Sequence, residues 1–239
     1  MSEILKVQDL TKKFGKKKVL DGLTLSVESG RIVGLLAPNA SGKTTLFRLI
    51  MGLLKEDSGE ILIDGKRVGK ETNAVISYNP DLFVFGSYFR IKDAIEYMKT
   101  MFPDFDEGKA KELFARQHFD EGRRISSLSK GEKEQVQLVL FLSRKAKLYL
   151  LDEPLAAVDP IKREFIINTI LGSFGEESSV IISTQLVLDI EKILDDVVMI
   201  KDGKVCLSGE ADVLREKYGK NINEIFKDTF RYAEGGEEK

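Results

Sequence analysis

The sequence predicts an α/β protein: a core of buried strands alternating with helices, an antiparallel β lobe near the N-terminal end, and a helical insertion between core segments. Three observations predict it. Apolar and polar residues alternate in short runs through the first 30 residues. Ile32–Leu36 is then apolar without alternation, as in a strand buried on both faces, and a glycine-containing loop and a helical pattern follow it. From about Lys92 to Leu142 the apolar period is helical.

The elements follow in chain order. Leu23, Leu25 and Val27 point one way and Thr24 and Ser26 the other, with Gly15, Gly22 and Gly30 as punctuation. After Ile32–Leu36, the residues Leu46, Phe47, Leu49, Ile50 and Leu53 share a helix face. Ile61–Ile63 and Val75–Tyr78 read as strands. In the insertion, Ala94, Ile95, Met98 and Met101 share one face, and Leu113, Phe114 and Phe119 another. Leu148–Leu151 and Val180–Ser183 are further buried strands. Between them Pro160 opens the helix Ile161–Leu171, since proline suits a first helical turn. Short helices follow, then an acidic terminus, Glu234–Lys239, expected to be disordered. The whole reads as a single domain. Residues of about 1–80 and 145–225 form the β lobe and core, about 82–144 the helical subdomain, and about 231–239 the tail.

Composition narrows the function. Lys plus Arg is 37 against 39 Asp plus Glu, a net charge of −2 that gives no global pull towards nucleic acid or an anionic membrane. The basic stretch Lys12, Lys13, Lys16, Lys17 and Lys18 reads as a solvated loop. No apolar run approaches the ~20 residues that cross a bilayer, so a membrane role requires a partner. The one cysteine, Cys206, is expected as a small core residue in a strand.

Two motifs carry the chemistry. The loop Ala37-Pro38-Asn39-Ala40-Ser41-Gly42-Lys43-Thr44-Thr45 resembles the phosphate-binding pattern G-x-x-x-x-G-K-[ST]. Backbone N–H groups at a helix start cradle phosphate oxygens, helped by the helix dipole. Lys43 would reach the β- and γ-phosphates of ATP, and the Thr44 hydroxyl would hold Mg²⁺. Downstream, the apolar strand Leu148–Leu151 ends in Asp152-Glu153-Pro154. Two carboxylates at the end of a buried strand are costly unless something positive meets them. Asp152 is assigned to Mg²⁺ and Glu153 to polarising the attacking water.

A third segment, Leu128-Ser129-Lys130-Gly131-Glu132, opens a helical run near Glu132. With the other two motifs, in this order and spacing, it resembles the signature of ATP-binding cassette (ABC) ATPases. The resemblance implies a RecA-like P-loop NTPase core, the ABC ATPase fold, over almost the whole chain. It also implies that Ser129, Gly131 and Glu132 meet the nucleotide of a second subunit. Phe14 stands where the family stacks an aromatic on adenine, and Asp159 matches the conserved turn acid in Ala156-Ala157-Val158-Asp159.

The chain departs from the family pattern at several places: Ala37 and Ala40 replace glycines, Asp81 stands for the loop glutamine, Gln185 for the switch histidine, and alanines, Ala156 among them, for the usual small polar residue before Asp159. Asp81 could still reach Mg²⁺. Gln185 can hydrogen-bond a γ-phosphate but carries no charge. The resemblance further implies a homodimer or heterodimer with another ABC ATPase, an integral-membrane permease subunit as partner, and a place on the cytoplasmic inner face of the membrane. The phrases Ile91-Lys92-Asp93-Ala94-Ile95 and Phe102-Pro103-Asp104-Phe105-Asp106 resemble exporter subunits with separate permease chains. The aromatic loop Leu82–Phe89 reads equally as an interface for that permease and as packing for the helical lobe, and both can hold at once.

Overall fold

A computed structural model describes residues 2–156, 158–175 and 177–231. Met1, Ala157, Glu176 and residues 232–239 lie outside the described residues. The expectation for the acidic terminus therefore falls outside them, as does the Ala157 position of the turn before Asp159.

The alternating start of the chain folds as a hairpin of β1 (Glu3–Phe14) and β2 (Lys17–Glu28). Leu23, Leu25 and Val27 fall on its buried face, as a period of two requires. β3 (Ile32–Leu36) then enters a second sheet and feeds α1 (Lys43–Ile50). β4 (Ser58–Ile63) and β5 (Lys66–Arg67) return to the first sheet, whose order is β2-β1-β4-β5. α2 (Lys70–Ala74) leads to β6 (Ile76–Asn79).

The helical segment holds α3 (Ile91–Met101), α4 (Glu107–Arg116) and α5 (Lys130–Leu142) around their own apolar cluster. β7 (Leu148–Asp152), α6 (Pro160–Leu171), β8 (Ser179–Thr184), α7 (Val187–Ile190), β9 (Asp196–Lys201) and β10 (Lys204–Glu210) complete the core. α8 (Ala211–Tyr218) and α9 (Ile222–Phe230) close it.

The second sheet has the order β10-β9-β3-β8-β7-β6, parallel from β9 to β6, with β10 antiparallel at the edge. β7 and β8 are buried along their full length, which is why they read as unbroken apolar runs. Because β3, β7 and β8 are parallel, their carboxyl ends share one edge of the sheet. Ala37, Glu153 and Gln185 follow those three ends, so the parallel topology gathers the motifs on the side where open α/β sheets hold ligands.

Three local expectations are corrected. α1 stops at Ile50, the chain turns through Gly52 at φ 66°, and Leu53 is left 64% exposed. Met101 ends α3 and is also exposed, while Phe102 packs on the helical cluster instead, beneath the Arg144 guanidinium at 4.1 Å. Cys206 is exposed: β10 is an edge strand, and alternation turns Val205 and Leu207 inwards and Cys206 out.

Candidate active site

The loop after β3 turns into α1 at Gly42, whose φ is 100°. A Cβ there would lie 2.9 Å from Leu20 Cδ2 and 3.2 Å from the Val19 carbonyl oxygen, so only glycine fits. Lys43 is the first helical residue and is 5% exposed. Its ammonium donates to the Ala37 carbonyl at 2.7 Å and the Pro38 carbonyl at 3.1 Å, and lies 3.1 Å from Glu153 Oε1. The two alanines of the loop differ. Ala37 is buried and keeps a negative φ, whereas Ala40 is held at φ 61°. The missing glycine thus costs about 1–2 kcal/mol at Ala40 and nothing of this kind at Ala37.

Asp152, 1% exposed at the end of β7, accepts from the Ser183 hydroxyl at 2.5 Å and has the Thr44 side chain close by. Burial pushes its carboxyl above the usual carboxylate range. The Ser183 hydroxyl and the Thr44 side chain pull the other way, and the Asp81 and Glu153 charges add to the upward push. Asp152 Oδ2 and Glu153 Oε2 are buried without a partner, and Glu153 Oε1 meets only the Lys43 ammonium. Glu153 sits at φ 48°, a left-handed conformation that costs a residue of its type about 1–3 kcal/mol and recurs at functional sites.

Buried, unsatisfied carboxylate oxygens beside a threonine hydroxyl fit a hard dication completed by phosphate oxygens. Among the described residues no group of three or more His, Cys, Asp or Glu side chains is placed to hold a metal, so a fully protein-built cage is not the arrangement here.

A cleft of about 450 Å³ opens above these groups. It brings together Phe14, Asn39, Ala40, Ser41, Gly42, Lys43, Thr44, Thr45, Asp81 and Glu153. Phe14 is half exposed and carries the Lys12 ammonium 5.5 Å from its ring centre. Lys17 and Val19 also line this cleft. The basic stretch is thus not simply a solvated loop: the hairpin register, Phe14 opposite Lys17, brings Lys17 to the phosphate loop.

Pro38 and Gln185 line a neighbouring cleft of about 520 Å³ with Leu186, Phe226, Lys227, Phe230 and Arg231. Gln185 therefore borders the phosphate loop through Pro38, and α9 and the residue after it add two cations, Lys227 and Arg231, that no motif announced.

Ser129, Gly131 and Glu132 line neither cleft. They open α5, which starts at Lys130, slightly earlier than expected. Ser129 Oγ accepts from the Glu132 N–H at 3.3 Å, and Glu132 Oε2 accepts from the Ser129 N–H at 2.8 Å, a reciprocal cap. The Glu132 carboxylate also takes a forked pair of bonds from Arg123 at 2.7 and 3.1 Å. Arg123 first, and the Ser129 N–H second, drive the Glu132 carboxyl down to about 2. That carboxylate is committed to the cap, which leaves the Ser129 hydroxyl and the free N–H groups of the helix start as the donors facing outwards.

The aromatic loop divides. Phe85 is buried, and Phe83 and Phe89 pack on the helical cluster, whereas Leu82, Val84 and Tyr88 are 65%, 54% and 75% exposed.

This geometry agrees with what comparison with known proteins finds. The family described as ABC transporter matches residues 20–156, more than half of the 239-residue chain. The chain belongs to the ABC transporter family. The ABC transporter ATP-binding protein YtrB of Bacillus subtilis is 31% identical over 218 residues, covering 90% of this chain and 75% of its own. The lipopolysaccharide export system ATP-binding protein LptB of Haemophilus influenzae is 30% identical over 231 residues, 92% of this chain and 96% of its own. Among solved structures, the ATP-binding subunit of an ABC transporter superposes with a TM-score of 0.81 at 24% identity, over 94% of this chain and 98% of that one. The fold is the ABC ATPase fold, and the chain is an ATP-binding subunit with ATPase activity.

Proposed function

We propose that this ABC ATPase binds and hydrolyses MgATP in a sandwich dimer and drives transport through a separate membrane permease. One observation carries the reading. Lys43, paired with Glu153 Oε1, meets the unsatisfied Asp152 Oδ2 and Glu153 Oε2 under one cleft, while the capped helix start at Ser129 lines no part of it. A second subunit, the same chain or a related one, would bring its Ser129 hydroxyl and Gly131 N–H to the γ-phosphate.

The residues then divide the work. Phe14 stacks on the adenine, and the N–H groups of residues 39–45 hold the phosphates. Thr44, Asp152 and Asp81 would hold Mg²⁺, which when bound neutralises charge developing on the phosphate oxygens. Lys43 is held by Glu153. Phosphates that draw Lys43 away release the Glu153 carboxylate to orient and polarise the attacking water. The parts form one ATPase domain in which the helical segment carries the signature helix.

Among the described residues no helix is long and apolar enough to cross a membrane. The reading places the chain on the cytoplasmic face of the membrane, held there by its permease, with Leu82, Val84 and Tyr88 in the contact. Replacing these three with serine should abolish co-purification of the integral-membrane subunit and leave ATP affinity unchanged. Their side chains are exposed, so the substitution spares the core. Undiminished permease recovery would overturn the interface. Export is favoured by likeness to exporter subunits, LptB among them.

A second reading, a weakly hydrolysing subunit paired with a competent partner, is favoured by Gln185, which is neutral and exposed in the neighbouring cleft. One lost preorganised contact in such a site costs on the order of 3 kcal/mol, about a hundredfold in rate. Gln185→His should therefore raise single-turnover hydrolysis by up to about a hundredfold with little change in affinity. A brisk native enzyme that histidine does not accelerate would remove this reading.

A further inference from the structure

Gln137 lies within α5, the helix that Ser129 opens, and is 2% exposed. Its neighbours Val136, Leu138, Val139 and Leu140 are buried and apolar. An amide in such surroundings is costly unless its donors and acceptor are all met. They are met by one loop. Nε2 donates to the Pro80 carbonyl at 2.8 Å and the Leu82 carbonyl at 3.3 Å, and Oε1 accepts from the Val84 N–H at 2.8 Å.

The two carbonyls bracket Asp81, which lines the nucleotide cleft. Between Asn79, the end of β6, and Ile91, the start of α3, the chain has no helix and no named strand to hold it. Gln137 thus supplies from the signature helix the hydrogen bonds that regular structure does not supply.

We propose that Gln137 is a positioning residue for the ATPase reaction: it sets Asp81 at the nucleotide and makes the Pro80–Val84 loop move as one body with the signature helix. The proposal rests on the nucleotide reading of the Asp81 cleft. On that reading, a displacement of α5 when its Ser129 end engages a nucleotide is carried directly to Asp81, because a fully satisfied buried amide cannot slide along the loop without orphaning three groups.

The test is a double-mutant cycle in single-turnover hydrolysis at saturating MgATP. Gln137→Met keeps the length and volume of the side chain and removes all three bonds. It should slow hydrolysis about tenfold and leave ATP affinity within about twofold. Asp81→Ala should slow hydrolysis at least as much. Gln137→Met added to Asp81→Ala should cost nothing further, because the amide acts through a carboxylate no longer present.

Additive losses, or full activity in Gln137→Met, would overturn the proposal and leave the cleft reading intact. A silent Asp81→Ala would overturn both. Should Gln137→Met not fold, Gln137→Glu, which keeps the acceptor for Val84 and loses the donors, must show the same non-additivity.

Discussion

Replacing Lys43 with alanine is expected to lower ATP affinity by about 10²–10⁴-fold. Lys43 is the buried cation of the nucleotide cleft, and its ammonium is already aimed along the phosphate loop by the Ala37 and Pro38 carbonyls. A charge-assisted hydrogen bond contributes about 1.5–3 kcal/mol, and the ammonium can offer one to each of two phosphate groups. Losing both removes about 3–6 kcal/mol, at about 1.4 kcal/mol for each factor of ten. The backbone N–H groups and the helix dipole remain, which is why binding is not expected to vanish altogether. Calorimetry with Mg²⁺ present measures the effect, beside a thermal unfolding scan, because Glu153 also loses its ion-pair partner. Unchanged affinity in a folded variant would remove the phosphate-loop assignment.

The parts of this site that were legible in the sequence are those written in contiguous residues. β3, β7 and β8 are buried on both faces, so each appears as an apolar run bounded by polar residues. The start of α5 is equally local, since Ser129 and Glu132 have the spacing of a reciprocal cap. Sheet order was not legible. β3 lies between β8 and β9, strands far away along the chain, and no local pattern selects those neighbours.

The same holds for residues that reach the site across the fold. Lys17 belongs to the nucleotide cleft only through the register of the first hairpin, and Lys227 and Arg231 share a cleft with Gln185 only because α9 packs on α7, the helix after β8. Gln137 offered a weak signal, an amide where helical periodicity calls for an apolar residue, but its partners are fifty-odd residues earlier. The errors at Leu53, Met101 and Cys206 share a cause of another kind. Each periodic pattern was carried to, or onto, an element boundary or an edge strand, where one side of the element has nothing to pack against.

Replacing Glu153 with glutamine is expected to slow hydrolysis by about 10²–10⁴-fold, the usual contribution of a positioned general base. The amide matches the carboxylate in shape and tolerates the same φ of 48° no worse, so the turn after β7 should keep its course. ATP binding should persist and even tighten. The Glu153 carboxylate lies 3.1 Å from the Lys43 ammonium and competes with phosphate for it. A neutral amide removes that competitor while leaving Asp152, Thr44 and the helix start in place. With hydrolysis stopped and nucleotide held, the closed state can no longer reopen through product formation, and a dimer should accumulate. Size-exclusion chromatography with and without ATP reads the assembly, calorimetry the affinity, and single-turnover assays the chemistry. The three outcomes are linked through one side chain but depend on different parts of the argument. A variant that binds ATP, stays monomeric and hydrolyses normally would defeat both the base and the sandwich. One that is inactive yet strictly monomeric would keep the base and require the Ser129 end of α5 to meet its nucleotide by some other assembly.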